Sequence, residues 1–171
     1  MSTPSFEPAH FLIRFSPSTF NEILGGNSVD LVGYKQWSSF TCGFASVAMV
    51  LSHFRPEVDL VKLYEELGTT EEGTGQTAIV NTLRNYGLSV SIKPKTYLDD
   101  IKLAIDNEKL LIIYDNVEDH WMVVYGYQNN GLVLVADPGP CGEYLYPWYA
   151  GEPFNRFSLV ISEKGRRNVV K

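Results

Sequence analysis

The stretch from residue 42 to 54, CGFASVAMVLSHF, is apolar at Phe44, Ala45, Val47, Ala48, Met49, Val50, Leu51 and Phe54. Those positions cover most sides of a helix, so the pattern predicts a central, buried helix rather than an amphipathic surface one. Three further helices are predicted: DLVKLYEEL from Asp59, TGQTAIVNTLRNYG from Thr74, and YLDDIKLAIDN from Tyr97, with Gly87 and Asn107 as end signals. The second half changes rhythm. Short runs rich in β-branched and aromatic residues, LSVSI, LLIIY, WMVVYGY, GLVLVA and FSLVI, read as strands. Helices followed by a run of strands, without strict alternation, predict an α+β domain with an antiparallel sheet. Residues 1–30 are the least regular part, and no repeat or linker divides residues 1–171, so one domain is expected.

The join YQNNGLVL marks a tight hairpin, because Asn and Gly tolerate the positive φ that such turns need. A two-residue loop at Asn129-Asn130 pairs residue 120 with 139; one at Asn130-Gly131 pairs it with 141. In either register His120 and Asp137 point to the same face near the same end of the hairpin, where a histidine and a carboxylate can touch.

Composition narrows the function classes. The chain of 171 residues is 44% hydrophobic and 20% charged, an ordinary globular balance. A net charge of −6, with basic residues scattered except for KGRR near the end, argues against nucleic-acid binding. No apolar run approaches the roughly 20 residues that span a bilayer. The N-terminus lacks a basic stretch followed by an apolar one, so it does not read as a secretory signal, and a cytoplasmic location is expected. The two cysteines form no Cys-x-x-Cys pair, and His10, His53 and His120 lie far apart without metal-ligand spacing; no metal and no cofactor are expected.

The remaining question is why a cysteine opens the apolar helix. Thr41 already offers the side-chain oxygen that helix starts favour. At a helix N-terminus the macrodipole favours thiolate over thiol, and the thiolate is the nucleophile. Gly43 leaves the backbone beside the sulfur open to a substrate carbonyl. Taken singly, Cys42, His120, Asp137 and Gln36 have ordinary structural readings: a small buried hydrophobe, a strand-edge residue, a turn initiator and a surface amide. Together they supply what acyl transfer needs, namely a nucleophile, a base, a group that orients the base and a donor for the oxyanion.

The chain also resembles the papain-like cysteine peptidases, most closely the bacteriocin-processing, double-glycine-leader peptidase family and its stand-alone relatives. The resemblance rests on a glutamine six positions before the cysteine in QWSSFTCG, the apolar helix behind it, HWMVVYGY, VADP, GTGQTAIVNTLRNYGLSV and EYLYPWYAGEPFNRFSLVI. It covers roughly residues 34–162. It implies a papain-like fold, with Cys42 as nucleophile, His120 as general base and acid, and Asp137 orienting His120. Gln36 would donate to the developing oxyanion beside the backbone N–H of Cys42. The implied substrate is a peptide or protein, with no cofactor, nucleic acid or membrane partner.

Leader peptidases of this type often belong to exporters with transmembrane helices and an ATPase, neither of which this sequence contains. The same chemistry could therefore serve hydrolysis, transfer of the thioester to an amine, or deamidation, and a catalytically silent peptide-binding module is the reading from another class. FSPSTFNEILGG sets Phe15, Phe20 and Ile23 ahead of Gly25-Gly26 with leader-like spacing, which raises self-processing after Gly26. Cys141, four residues after Asp137, raises a reversible disulfide with Cys42. His53 reads as structural at the end of its helix. Trp121 either lines a cleft or enters the core, and is left out of the site.

Overall fold

The computed structural model describes residues 12–15, 25–139, 142–147 and 157–165. In chain order these form β1 (Leu12–Phe15), β2 (Gly26–Ser28), β3 (Leu31–Tyr34), α1 (Cys42–Phe54), α2 (Leu60–Leu67), α3 (Gln76–Asn85), β4 (Leu88–Lys93) and α4 (Leu98–Asp106). Then come β5 (Leu110–Asp115), β6 (His120–Gln128), β7 (Leu132–Asp137), β8 (Gly142–Pro147) and β9 (Ser158–Glu163). The fold is α+β with antiparallel pairing, as the pattern predicts. The main sheet runs β4-β9-β5-β6-β7-β8, with β2 on β6, while β1 and β3 pair separately. Two of these strands fall inside 1–30, where the pattern shows none; three- and four-residue strands are too short to display a period.

Helix α1 is buried at every position from Cys42 to Leu51 and packs on β3 and β6. Its apolar sides have neighbours all round, which is why no polar stripe is present. Phe44 meets Trp37 and Tyr64 at ring distances of 5.2 and 5.3 Å, joining the turn before the helix to α2. At the other end Arg55 donates to both carboxylate oxygens of Glu163, at 2.7 and 3.2 Å, and to the Tyr86 carbonyl. His53 Nδ1 lies 3.0 Å from the Asp30 carbonyl, in keeping with a structural role. The second helix is capped by Asp59, which accepts from the Val61 and Lys62 N–H groups, and ends at Gly68 in the left-handed region. The third begins at Gln76 rather than Thr74, because Thr74 and Gly75 belong to the preceding loop. Among the described residues no helix is long and apolar enough to cross a membrane.

The hairpin differs from expectation in an informative way. Its loop holds three residues, 129–131, since Tyr127 pairs with Val133; Gly131 N–H donates to the Gln128 carbonyl and Leu132 N–H to Asn130 Oδ1. That register, continued, would put His120 and Asp137 on opposite faces. It is not continued. Gly126 pairs with Leu134 but Val124 pairs with Val135, so Tyr125 is an extra residue in β6. Beyond this bulge Val123 meets Ala136, the odd-sum pairing under which His120 and Asp137 share a face.

Both edges of β6 hold the bulge. On the β2 side, Val29 N–H donates to the Tyr125 carbonyl at 2.8 Å, and Ser28 pairs with Gly126. Gly126 has no room for a side chain: a Cβ there would stand 2.6 Å from Leu134 Cδ1, 2.8 Å from Ser28 Cβ and 2.9 Å from the Asn27 carbonyl. We predict that Gly126→Ala costs about 1–3 kcal/mol of stability through overpacking. Urea unfolding measures this as a lower midpoint at unchanged slope; an unchanged midpoint would show that the bulge is not tightly held.

Candidate active site

Cys42 is the first residue of α1 and 5% exposed. The expected cap is diverted. Thr41 makes no side-chain bond to the helix; its Oγ1 accepts instead from the Trp37 and Ser38 N–H groups, both at 3.2 Å. The hydroxyl thus closes the turn that carries Gln36, and no side chain caps the N–H groups at the helix start. Free N–H groups and the positive end of the dipole stabilise negative charge at a thiolate or an oxyanion.

His120 opens β6 and Asp137 closes β7. With Ala136 beside Val123, the next step along β7 brings Asp137 level with Met122, two residues from His120 on the same face. The side chains meet: His120 Nε2 lies 2.7 Å from Asp137 Oδ1. This bond leaves Nδ1 as the other ring nitrogen. Burial presses the His120 pKa down, but hydrogen bonds to Asp137 and to Cys42, and the charges of both, outweigh it and bring the group up to about 10. Three of the four candidates from sequence are therefore interacting partners.

Gln36 joins them through the turn after β7. Its backbone N–H donates to the Pro138 carbonyl at 2.9 Å, and its Nε2 donates to the Ser38 carbonyl at 2.9 Å. One Nε2 proton is committed and the second is left for another acceptor. Its Oε1 is buried with no hydrogen-bond partner among the described residues. The amide is held within the fold, not displayed on the surface.

Of the four, Cys42 also borders a cleft of about 500 Å³, lined by Thr74, Gly75, Tyr114, Trp121 and Phe157 with Glu71, Glu72 and Asp119 at its sides. Trp121 belongs to this cleft: its Nε1 donates to the Thr74 carbonyl at 3.2 Å and its ring stands 4.7 Å from that of Tyr114. The Tyr114 hydroxyl donates to Asp119. That bond, then burial and the charges of Asp119, Cys42 and Asp115, push the Tyr114 pKa up to about 12, so the hydroxyl keeps its proton. Gly43 does not open space for a substrate as expected. A Cβ there would lie 2.7 Å from Thr74 Cβ and 3.1 Å from Trp121 Cδ1, so the glycine lets the 69–75 loop close against the helix.

Sequence reasoning missed Thr74, Tyr114 and Phe157, which come from separate segments. Cys141, Phe20 and Ile23 lie outside the described residues, and with them the disulfide and most of the leader-like spacing. Gly26 is described: it pairs with Gln128, eight residues along β6 from His120, or about 26 Å of strand.

A model of the Peptidase C39 family matches residues 32–148. The mesentericin-Y105 transport/processing ATP-binding protein MesD of Leuconostoc mesenteroides is 30% identical over 104 residues, covering 57% of this chain and only 13% of that protein. A crystal structure of a double glycine motif protease from an AMS/PCAT transporter, in complex with the leader peptide, is similar with a TM-score of 0.62 at 23% identity. The likeness covers 79% of this chain and 93% of that one. The peptidase domain of Streptococcus ComA, a bi-functional ABC transporter in a quorum-sensing pathway, gives 0.59 at 20% identity over 81% and 98%. The two solved structures share the fold, and the family model spans the loop with Gln36, the whole of α1 and both strands of the His120–Asp137 hairpin: the chain belongs to the Peptidase C39 family and is a cysteine peptidase.

Proposed function

We propose that the chain cleaves a peptide after a pair of glycines, with Cys42 as nucleophile, His120 as acid and base, Asp137 as the group that orients His120, and Gln36 as oxyanion donor. The observation that carries these roles is the 2.7 Å contact of His120 Nε2 with Asp137 Oδ1, on a ring whose pKa Cys42 also raises. The glycine preference is supported by the solved neighbour, a double glycine motif protease in complex with its leader peptide. It also fits the closeness of Thr74 and Trp121 to Gly43, which crowds the space next to the nucleophile.

The reaction follows from these groups. The Cys42 sulfur attacks the carbonyl carbon as thiolate, and negative charge moves to the carbonyl oxygen. That charge is received by the N–H of Cys42 and the second proton of Gln36 Nε2. The intermediate collapses as the C–N bond breaks, and imidazolium His120 gives its proton to the leaving amine. Neutral His120 then takes a proton from water, which attacks the thioester; the carboxylate product leaves and the thiolate returns. Asp137 holds the ring so that one nitrogen serves both transfers.

The test is incubation of the purified chain with a leader peptide ending in Gly-Gly, fused to a cargo peptide, with products identified by mass. Wild type should yield two fragments cut after the second glycine, with one water gained across the pair. Cys42→Ala should yield none, and Gln36→Ala should lower kcat by about 10²- to 10³-fold with KM little changed. Cleavage by Cys42→Ala would remove the nucleophile assignment, and an amine-capped product in place of the acid would replace hydrolysis by transfer.

A pH profile tests His120 separately. Acylation needs the imidazolium, so its rate should fall as pH rises through about 10. Asp137→Asn removes one source of that elevation and should move the alkaline limb toward neutrality. Stability obeys the same sign: the folded pKa lies above the ordinary 6.5, so the contribution of the pair is full below 6.5 and is lost as pH rises through about 10. A profile that Asp137→Asn leaves in place would sink this pairing.

A further inference from the structure

Gly139 lies at the meeting point of the three groups around Cys42, although nothing above gives it a role. Its N–H donates to Asp137 Oδ1 at 2.7 Å, the same oxygen that lies 2.7 Å from His120 Nε2. An oxygen that accepts two charge-assisted bonds is fixed in direction as well as position, because each lone pair is committed. The preceding residue completes the link, since the Pro138 carbonyl accepts the backbone N–H of Gln36. The turn 137–139 therefore bonds the histidine's partner on one side and the segment of Gln36 on the other.

The space around Gly139 makes the same connection. A Cβ at this position would stand 3.1 Å from Asp137 Oδ1, 3.8 Å from Gln36 Oε1 and 3.8 Å from His120 Cε1. The closest of these distances is tighter than ordinary contact, and the carboxylate oxygen would have to move. The backbone of Gly139 is not in the left-handed region, so alanine adds the contact without adding strain in φ. A change here acts through Asp137 and its neighbours.

We propose that Gly139 is a positioning residue of the peptidase: its N–H sets the Asp137 carboxylate for His120, and its missing side chain lets Gln36 rest against the same turn. One residue thus fixes the spacing between the group that orients the base and the group that receives the oxyanion. The inference rests on the roles proposed above for Asp137 and Gln36.

The test uses the full chain with the Gly-Gly leader fusion and, independently of cleavage, nitrogen-15 labelling of the histidine rings and glycine amides. In Gly139→Ala, kcat should fall toward about 10²-fold with KM near wild type, as expected for a small misplacement of reacting groups. The His120 ring should titrate lower than in wild type. In the Asp137→Asn background the same substitution should have little further effect on kcat, because the two changes remove one connection. A folded Gly139→Ala with wild-type kcat and wild-type His120 titration would overturn the proposal, as would a full additional loss in Asp137→Asn. If the variant fails to fold, the wild-type spectrum decides. The Gly139 amide proton should resonate far downfield and shift as His120 titrates, and an ordinary, unresponsive resonance overturns the proposal. Absence of cleavage with an intact Gly139–His120 linkage in the spectrum would instead count against the peptidase substrate and leave the positioning intact.

Discussion

The meeting of His120 with Asp137 depends on the phase of β6 against β7. Side chains alternate with a period of two along a strand, so a pairing shifted by one residue sends every side chain to the other face. The three-residue loop at 129–131 starts the hairpin in the phase that separates His120 from Asp137, and Tyr125 restores the phase that joins them. The loop and the bulge are complementary errors of one residue. Neither is useful alone, and the 2.7 Å contact exists because both are present.

A bulge tends to relax by slipping, since its extra residue is unpaired on one side of the strand. Here the opposite edge prevents that. The pairing of β2 with β6 runs up to the bulge at Gly126, and the Val29 N–H takes up the Tyr125 carbonyl. Asn27 adds a tie to the helix layer, donating through Nδ2 to Asp106 Oδ1 at 3.0 Å, an oxygen that also accepts from the Tyr127 hydroxyl at 2.8 Å. The Cys42 side is fixed by different means. Helix α1 is enclosed on all sides and fastened at its end by Arg55, so Cys42 is set by a rigid core while His120 and Asp137 are set by register.

The parts legible in the sequence are those written in local chemistry. An all-round apolar helix, a helix opening at Asp59, five strand runs and the Asn-Asn-Gly join each carry their own signal within a few residues. Cys42, His120, Asp137 and Gln36 could be named because acyl transfer needs these residue types together and because the motifs resemble a known family. A two-residue loop predicts the shared face of His120 and Asp137; the face is right, but the cause is the bulge. Nothing in VVYGYQ separates an extra tyrosine from an ordinary one, since bulging is decided by what Leu134, Ser28 and Asn27 leave room for around Gly126. Thr41 shows the same limit. Its hydroxyl could cap the helix or close the 37–41 turn, and in the fold it closes the turn.

The Gly25-Gly26 pair shows how one motif can carry two incompatible readings. As a cleavage site it must lie extended across Cys42. As part of β2 it lies opposite Gln128, at the far end of β6 from His120, and Gly26 packs so closely that a Cβ would fall 2.1 Å from the Tyr127 carbonyl. An intramolecular cut would require stripping β2 from β6. That same strand, through Ser28 and the Val29 that follows it, holds the bulge that brings His120 to Asp137. Removing β2 to present it as substrate would release the register that brings His120 to Asp137, so in this arrangement the glycines serve the sheet.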